Sequence, residues 1–283
     1  MLTSDQESYL LENAYVPEHI TGLMVPVSKG EAFIVSDYLA YAKDNWLIFV
    51  GYPLTEAFSD EGCEAAVEET VRACRPEYAW FIGPRVPPAL LENCAERQSD
   101  SYYRLDLGAS PPAALMRQAE KASAALRIER SRTFGKKHDA LIAEFVKRVK
   151  KLPPMIRELY RAMPEYVATS DAAALLSAYD RKEKLSALFV VDLAPRRFAT
   201  YVLGCYSRKR YVAHASDLLF REMIDLAKRE GKEYINLGLG VNDGIRRFKE
   251  KWGGAPFLAY EFCEKRFVRP RVHPLMRLLR GRA

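Results

Sequence analysis

The chain has 283 residues, 49% of them hydrophobic and 28% charged, with a formal net charge of +6. This is an ordinary globular balance with enough apolar residues for a sizeable core, and the absence of any apolar run of about 18 residues argues against a membrane-spanning helix. Five cysteines (Cys63, Cys74, Cys94, Cys205, Cys263) and four histidines (His19, His138, His214, His273) are scattered without C-x-x-C or ligand spacing, so reduced thiols and no metal site are expected. Residues 1–8 have neither a basic segment nor an apolar run, which together with the thiols points to a cytoplasmic protein. The positive balance sits in one place. Residues 266–283 carry six arginines and no acid, and the remaining 37 basic and 37 acidic side chains cancel. That tail, with Leu275, Met276, Leu278 and Leu279 interleaved, suits either an anionic membrane surface or RNA, or docking as a solvated terminus. A second basic stretch, 117–151, reads as a solvated helical face.

In chain order, Phe33–Val35 and Trp46–Val50 read as paired strands. Ser59-Asp60 caps a helix with Cys63, Ala66, Val67, Val71 and Cys74 at helical spacing. Tyr78–Ile82 is a short strand, Pro87–Glu96 a short helix and Tyr102–Leu107 a strand, before a boundary at Gly108–Pro112. The next region reads as helical: Ala114–Leu126, a helix capped by Asp139, then Ile156–Met163 and Ser170–Tyr179. Leu185–Leu193 and Phe198–Tyr206 form a hairpin, and Tyr211–Ala213 a brief extended piece. Ser216-Asp217 caps a helix that stops at Gly231, Tyr234–Leu237 is a strand, Asn242-Asp243 caps a helix over Gly244–Trp252, and Phe257–Cys263 is the last strand.

The same unit occurs twice. Residues 59–107 and 216–264 each span 49 residues, each starts Ser-Asp, and each meets Glu-Tyr at the start of its middle strand. With the strand pair before it, the order in both copies is β-β-α-β-α-β.

This order resembles the second part of the GNAT acyltransferase fold. The doubling resembles the Fem-like branch of tandem-GNAT acyl and aminoacyl transferases, with the lysyl-phosphatidylglycerol synthase catalytic region as a related branch. The resemblance is best over 185–263, where Ser186–Val191, Tyr201–Tyr206, Ser216–Gly231 and Phe248-Lys-Glu-Lys-Trp-Gly253 follow the family's order. It implies an α/β (α+β) chain of two GNAT-like units with mixed central sheets flanked by helices. The expected domains are an N-terminal unit at 1–112, a helical linking region at 113–184, a C-terminal core at 185–265 and the basic tail at 266–283. It also implies that Phe198–Tyr206 and Tyr234–Leu237 splay apart to admit an acyl donor, with the helix at Ser216 pointing its N-terminus at the donor's phosphate. One departure stands out: where acetyl-CoA-using members carry a glycine-rich basic loop, this chain has Tyr211-Val-Ala-His-Ala-Ser-Asp217. Close backbone approach to a pyrophosphate is harder without glycine, and the Fem-like branch, whose donor is often aminoacyl-tRNA, generally lacks that loop too.

The resemblance places Lys249 near the reacting acyl group as an oxyanion stabiliser; the plainer reading is a helix-surface lysine beside Arg246, Arg247 and Lys251. His214 is a candidate general base or a structural histidine. Asn236, polar on a buried strand, needs a partner and is a candidate site residue. Tyr201 and Tyr206, five positions apart, are expected on opposite faces, one of them lining the cleft. Gly204 and Ser216 are further donor-side candidates. Asn242 is a helix cap or a site residue, and Phe248 and Trp252 are core anchors or donor contacts. The Gly238-x-Gly240-x-x-x-Gly244 spacing does not match a dinucleotide fingerprint. The expected function is transfer of an acyl or aminoacyl group from acyl-CoA or aminoacyl-tRNA to a small-molecule or peptide amine, or a hydroxyl. The alternatives are a non-catalytic ligand-binding protein on this fold and lipid-directed aminoacyl transfer with the tail on an anionic membrane.

Overall fold

The computed structural model describes residues 2–55, 57–92, 94–149 and 154–267; most of the basic tail lies outside them. Helix α1 (Ser4–Asn13), a 3-10 turn at Pro17–His19 and α2 (Thr21–Ser28) precede the first repeat. That repeat contains β1 (Glu31–Val35), β2 (Tyr38–Lys43), β3 (Trp46–Val50), α3 (Asp60–Cys74), β4 (Tyr78–Gly83), α4 (Pro88–Leu91) and β5 (Cys94–Asp106). The connecting region holds α5 (Ala113–Ser123), β6 (Leu126–Ser131), α6 (Lys136–Arg148), α7 (Pro154–Thr169) and β7 (Ala173–Asp180). The second repeat is β8 (Leu185–Asp192), β9 (Phe198–Tyr206), α8 (Ala215–Arg229), β10 (Tyr234–Leu239), α9 (Asp243–Lys251) and β11 (Ala255–Arg266).

The described strands form one eleven-stranded mixed sheet in the order β1-β2-β3-β4-β11-β5-β10-β9-β8-β7-β6. Two pairs are parallel, β3 with β4 and β9 with β10. The two repeats exchange their closing strands: β11 lies against β4, and β5 lies against β10. The exchange makes the sheet continuous and carries side chains of the first repeat to the corner after β10.

Helices cover both faces. Helix α8 buries Leu218, Leu219, Phe220, Met223, Ile224 and Leu226 with α5 on one face of β7–β10, each large side chain contributing about 1.5–3 kcal/mol. Helices α2 and α7 cover the opposite face. In the first repeat α3 packs on one face and α1 on the other.

From β3 and from β9 onward both repeats follow the expected order β-α-β-α-β, but the first has three strands before its helix instead of two, and several other details differ. Phe33–Val35 and Trp46–Val50 do not pair directly, because β2 lies between them. The 170–179 segment is not helical: β7 is an interior strand between β6 and β8, buried along almost its whole length. The expected helix at Pro87–Glu96 is a single turn, and β5 starts at Cys94. The 114–126 helix stops at Ser123, and Leu126 opens β6. Gly135 rather than Asp139 stands at the N-cap of α6, and Tyr211–Ala213 is not a strand. Cys94 and Cys263 form a disulfide between adjacent strands, with Cα atoms 5.6 Å apart. That corrects the expectation of five free thiols; Cys63, Cys74 and Cys205 are free.

Candidate functional site

Strands β9 and β10 pair at only three positions, Phe198↔Tyr234, Ala199↔Ile235 and Thr200↔Asn236. Beyond them β9 continues to Tyr206 and β10 to Leu239 without pairing to each other, so their facing backbone groups lack a ladder. Both strands are irregular at this point. A register shift against β8 sets Leu203 opposite Val190 and Tyr201 opposite Val191, leaving Val202 as a bulge. On β10 the pairing with β5 shifts between Asn236 and Leu239, where Gly238 adopts φ +72°, a conformation open to glycine at no steric cost.

Asn236 is fully buried and braces this irregularity. Its Oδ1 accepts the Gly238 N–H at 2.9 Å, and its Nδ2 donates to the Tyr15 carbonyl at 3.4 Å. The polar residue on the buried strand therefore has partners and shapes the parting. Beside it the buried Thr200 hydroxyl has no partner among the described residues.

The bulge also breaks the alternation that put Tyr201 and Tyr206 on opposite faces. Tyr201 packs on Phe189 with ring centroids 4.9 Å apart, while Val202, Leu203 and Cys205 all pack in the other layer. A Cβ on Gly204 would overlap the Tyr201 hydroxyl and the Phe189 ring, so glycine is needed there for close approach. Tyr206 is a partly exposed rim residue at the end of β9, beside Tyr211 and under the Arg148 guanidinium at 4.7 Å.

At the end of β10 the chain turns into α9. Asn242 is a true N-cap, its Oδ1 accepting the Ile245 N–H at 3.0 Å. Asp100, delivered by the exchanged strand β5, accepts the N–H groups of Gly240 at 3.2 Å and Val241 at 2.7 Å. Lys249 is 3% exposed, which excludes the helix-surface reading. Its Nζ donates to the Leu239 carbonyl at 2.5 Å and lies 5.5 Å from the Tyr103 ring centroid. Burial lowers the ammonium pKa to about 7, with Asp100 pulling in the other direction. Such a lysine is protonated or neutral near neutral pH and can answer a developing charge by changing state.

The start of α8 differs from the expectation. Its N-cap is His214, at φ 63°, with no side-chain cap bond, and Ser216 lies within the first turn. Asp217, read from the sequence as a cap, is a buried hub: Oδ2 meets His214 Nδ1 at 3.1 Å, and Oδ1 accepts Lys251 Nζ at 2.5 Å and Trp252 Nε1 at 3.1 Å. Trp252 stacks on Phe220 at 4.9 Å, and Phe248 meets the same ring edge-on at 5.4 Å. Trp252 and Phe248 are core anchors that fix α9, and through it Lys249, against α8. His214 is held through Nδ1, and its Nε2 has no partner among the described residues.

The predicted residues thus fall into three groups. Lys249 and Asn242 share the β10–α9 corner with Asp100 and Tyr103, which the sequence reading missed. His214 and Trp252 meet through Asp217, with Ser216 in the same helical turn. Tyr201 and Gly204 lie beside the β9 bulge, and Tyr206 stands apart on the rim. A surface depression of about 430 Å³ lies elsewhere, against the first turns of α3, lined by Asp37, Ser59 and Glu69 without a basic side chain.

The fold is shared with known proteins. L-PGS from Bacillus licheniformis aligns at a TM-score of 0.59 and 15% identity, covering 99% of this chain and 96% of that one. FemX aligns at 0.61 and 10%, covering 92% and 96%. A tandem GNAT protein from the clavulanic acid biosynthesis pathway aligns at 0.54 and 10%, covering 82% and 79%. At these identities the likeness establishes the fold, which is that of the tandem GNAT, Fem-like and L-PGS group. No protein-family model matches the sequence, and no curated protein matches it by sequence.

Proposed function

We propose that the protein is an acyl or aminoacyl transferase working in the cleft where β9 parts from β10. The observation that carries this reading is the junction of two features: parallel strands that separate after three pairs, and a buried lysine bonded to the last carbonyl of the parted strand. The likeness of fold to FemX, L-PGS and a tandem GNAT protein supports it. The acceptor's nitrogen or oxygen lone pair attacks the donor's carbonyl carbon. The carbonyl oxygen takes up negative charge, and the bond to the thioester sulfur or the tRNA ribose oxygen then breaks. The acceptor's proton passes to a base, for which His214 oriented by Asp217 is the candidate, and from there to the leaving group. Lys249 in its ammonium form stabilises the oxyanion.

Aminoacyl-tRNA is favoured over acyl-CoA as the donor, because Tyr211–Asp217 contains no glycine to let the backbone approach a pyrophosphate closely. The acceptor is a small-molecule or peptide amine, or a hydroxyl. A lipid acceptor would call on the 266–283 tail, of which only Arg266 and Phe267 are described. The test is transfer of labelled amino acid from bulk aminoacyl-tRNA, and of acetyl from acetyl-CoA, to hydroxylamine and to candidate amines. Transfer lost in Lys249→Ala supports the reading. Stable binding of either donor without transfer would favour the non-catalytic alternative.

A further inference from the structure

Across β5 from Lys249 lies a second polar group that the transfer mechanism does not use. Tyr103 faces Lys249, while its neighbour Tyr102 points into the other layer, where its hydroxyl donates to Glu18 Oε2 at 2.7 Å. Glu18 sits on the 3-10 turn before α2. It is enclosed by Tyr102, Tyr52 and Tyr260, whose rings meet edge-on at 6.0 Å and 5.6 Å. Burial pushes its carboxyl above the usual range. It has no ion pair among the described residues, and besides the Tyr102 hydroxyl its carboxyl takes only its own backbone N–H, while the residue as a whole is half-buried.

Two more polar atoms here lack partners. The Tyr260 hydroxyl, on a residue only 5% exposed, bonds to nothing among the described residues, although Tyr260 feels the charges of both Glu18 and Asp100. His19 Nδ1 is buried without a partner. A carboxylate with acceptor capacity to spare, walled by tyrosine faces, is the complement of a compact cation: the carboxylate takes N–H donors, and ring faces attract positive charge. A divalent metal would demand several oxygen ligands, whereas among the described residues no group of three or more His, Cys, Asp or Glu side chains could hold one. The nest also adjoins the reacting corner. Leu239, whose carbonyl holds Lys249, packs on the same tyrosine cluster.

We infer that Glu18, Tyr52, Tyr102 and Tyr260 form a binding site for a primary ammonium group carried by a substrate. That the ammonium belongs to a substrate rests on the transfer reading; the site itself does not. Two sources share this chemistry, the α-ammonium of an aminoacyl donor and the alkylammonium of an acceptor. The test is NMR titration of the full chain, without any donor, using alaninamide and butylammonium, with propionamide and 1-butanol as uncharged controls. Saturable binding of an ammonium and none of its control is expected. Glu18→Gln, which retains an oxygen for Tyr102, should weaken it at least about thirtyfold, and Tyr260→Phe by about threefold or more. Tighter alaninamide binding assigns the site to the donor, and tighter butylammonium binding to the acceptor. No saturable binding by the wild type, or affinity unchanged in Glu18→Gln, overturns the proposal; if Glu18→Gln does not fold, unchanged affinity in Tyr260→Phe does so. Ammonium binding without group transfer would remove the transfer reading and leave this site standing.

Discussion

From β3 and from β9 onward the two repeats share an element order, and they differ at the three places where chemistry would occur. In the first, β3 and β4 stay paired from Trp46↔Tyr78 to Val50↔Ile82, and the Gly51 N–H extends the contact to the Ile82 carbonyl at 2.6 Å. In the second, β9 and β10 part after Thr200↔Asn236. Helix α3 is capped by Ser59, which accepts the Gly62 N–H at 3.0 Å, whereas α8 starts at His214 with no side-chain cap. Helix α4 is one turn of Pro-Ala-Leu-Leu, whereas α9 carries a buried lysine. Counted from the Glu-Tyr that opens both middle strands, Asn236 is matched by Trp80. The same scaffold is closed in one copy and open in the other, and a few side chains make the difference.

The largest expected effect is on Lys249. Lys249→Met should lower turnover by about 100- to 1000-fold, the usual loss of an oxyanion donor, while matching changes in α4 leave it unaltered. The ammonium is present below about pH 7 and lost above it, so the part of the rate that Lys249 carries should fall as pH rises through about 7. Lys249→Arg, which stays charged, should remove that limb from the kcat/KM profile. Stability runs the other way. The folded lysine binds fewer protons than the unfolded one between about pH 7 and its ordinary value of 10.5. Its cost is therefore full below pH 7 and is relieved as pH rises across that window. Urea titrations at pH 6 and 9 should show the wild type gaining stability with pH at this site and Lys249→Met lacking that gain.

Next comes the hub that fixes α9. Asp217→Ala leaves the Trp252 indole N–H and Lys251 without their carboxylate and should cost about 3 kcal/mol, read by urea denaturation. Turnover should fall in the fraction that stays folded, because α9 is held on α8 through this group. Asn236→Leu is a smaller change. It strands the Gly238 N–H and the Tyr15 carbonyl, at about 1–3 kcal/mol, and should reduce turnover by altering the parting. Trp80→Phe, at the matching position, removes only the indole bond to Glu264 at 3.3 Å and should leave turnover unchanged. A Trp80 variant that abolished transfer would show that the first repeat takes part in chemistry.

The second repeat was the more legible because its signals are local. The 185–206 hairpin, the apolar stripe of α8, the Asn242 cap and the Phe248–Gly253 run can each be read within one or two turns of chain. Strand β7 could not, since Ala172-Ala-Ala-Leu-Leu has high helix propensity and becomes a strand only because β6 and β8 flank it. The polar start of β5 reads as the end of a helix, which hid Asp100. Strand exchange is a non-local property, so nothing near Gly240 indicates that its N–H groups meet a carboxylate from 140 residues earlier. Lys249 could be named from its motif, but its burial depends on Tyr103 arriving on that same strand. Glu18 has no motif at all; its surroundings come from Tyr52, Tyr102 and Tyr260, far along the chain.

The smallest effect separates the two helix starts. Ser59→Ala removes a cap and should cost about 1 kcal/mol without touching turnover, because α3 begins beside strands that stay closed. His214→Ala removes no cap, since the N–H groups at the start of α8 take nothing from its side chain. Its φ of 63° is unfavourable for alanine as well as for histidine, so stability should change little, while loss of the ring and its bond to Asp217 should slow transfer. His214→Asn, which tolerates the left-handed conformation and supplies no base, should match the wild type in thermal melts and His214→Ala in rate. If His214→Asn transfers at the wild-type rate, the uncapped start of α8 is a structural difference between the repeats and not a catalytic one.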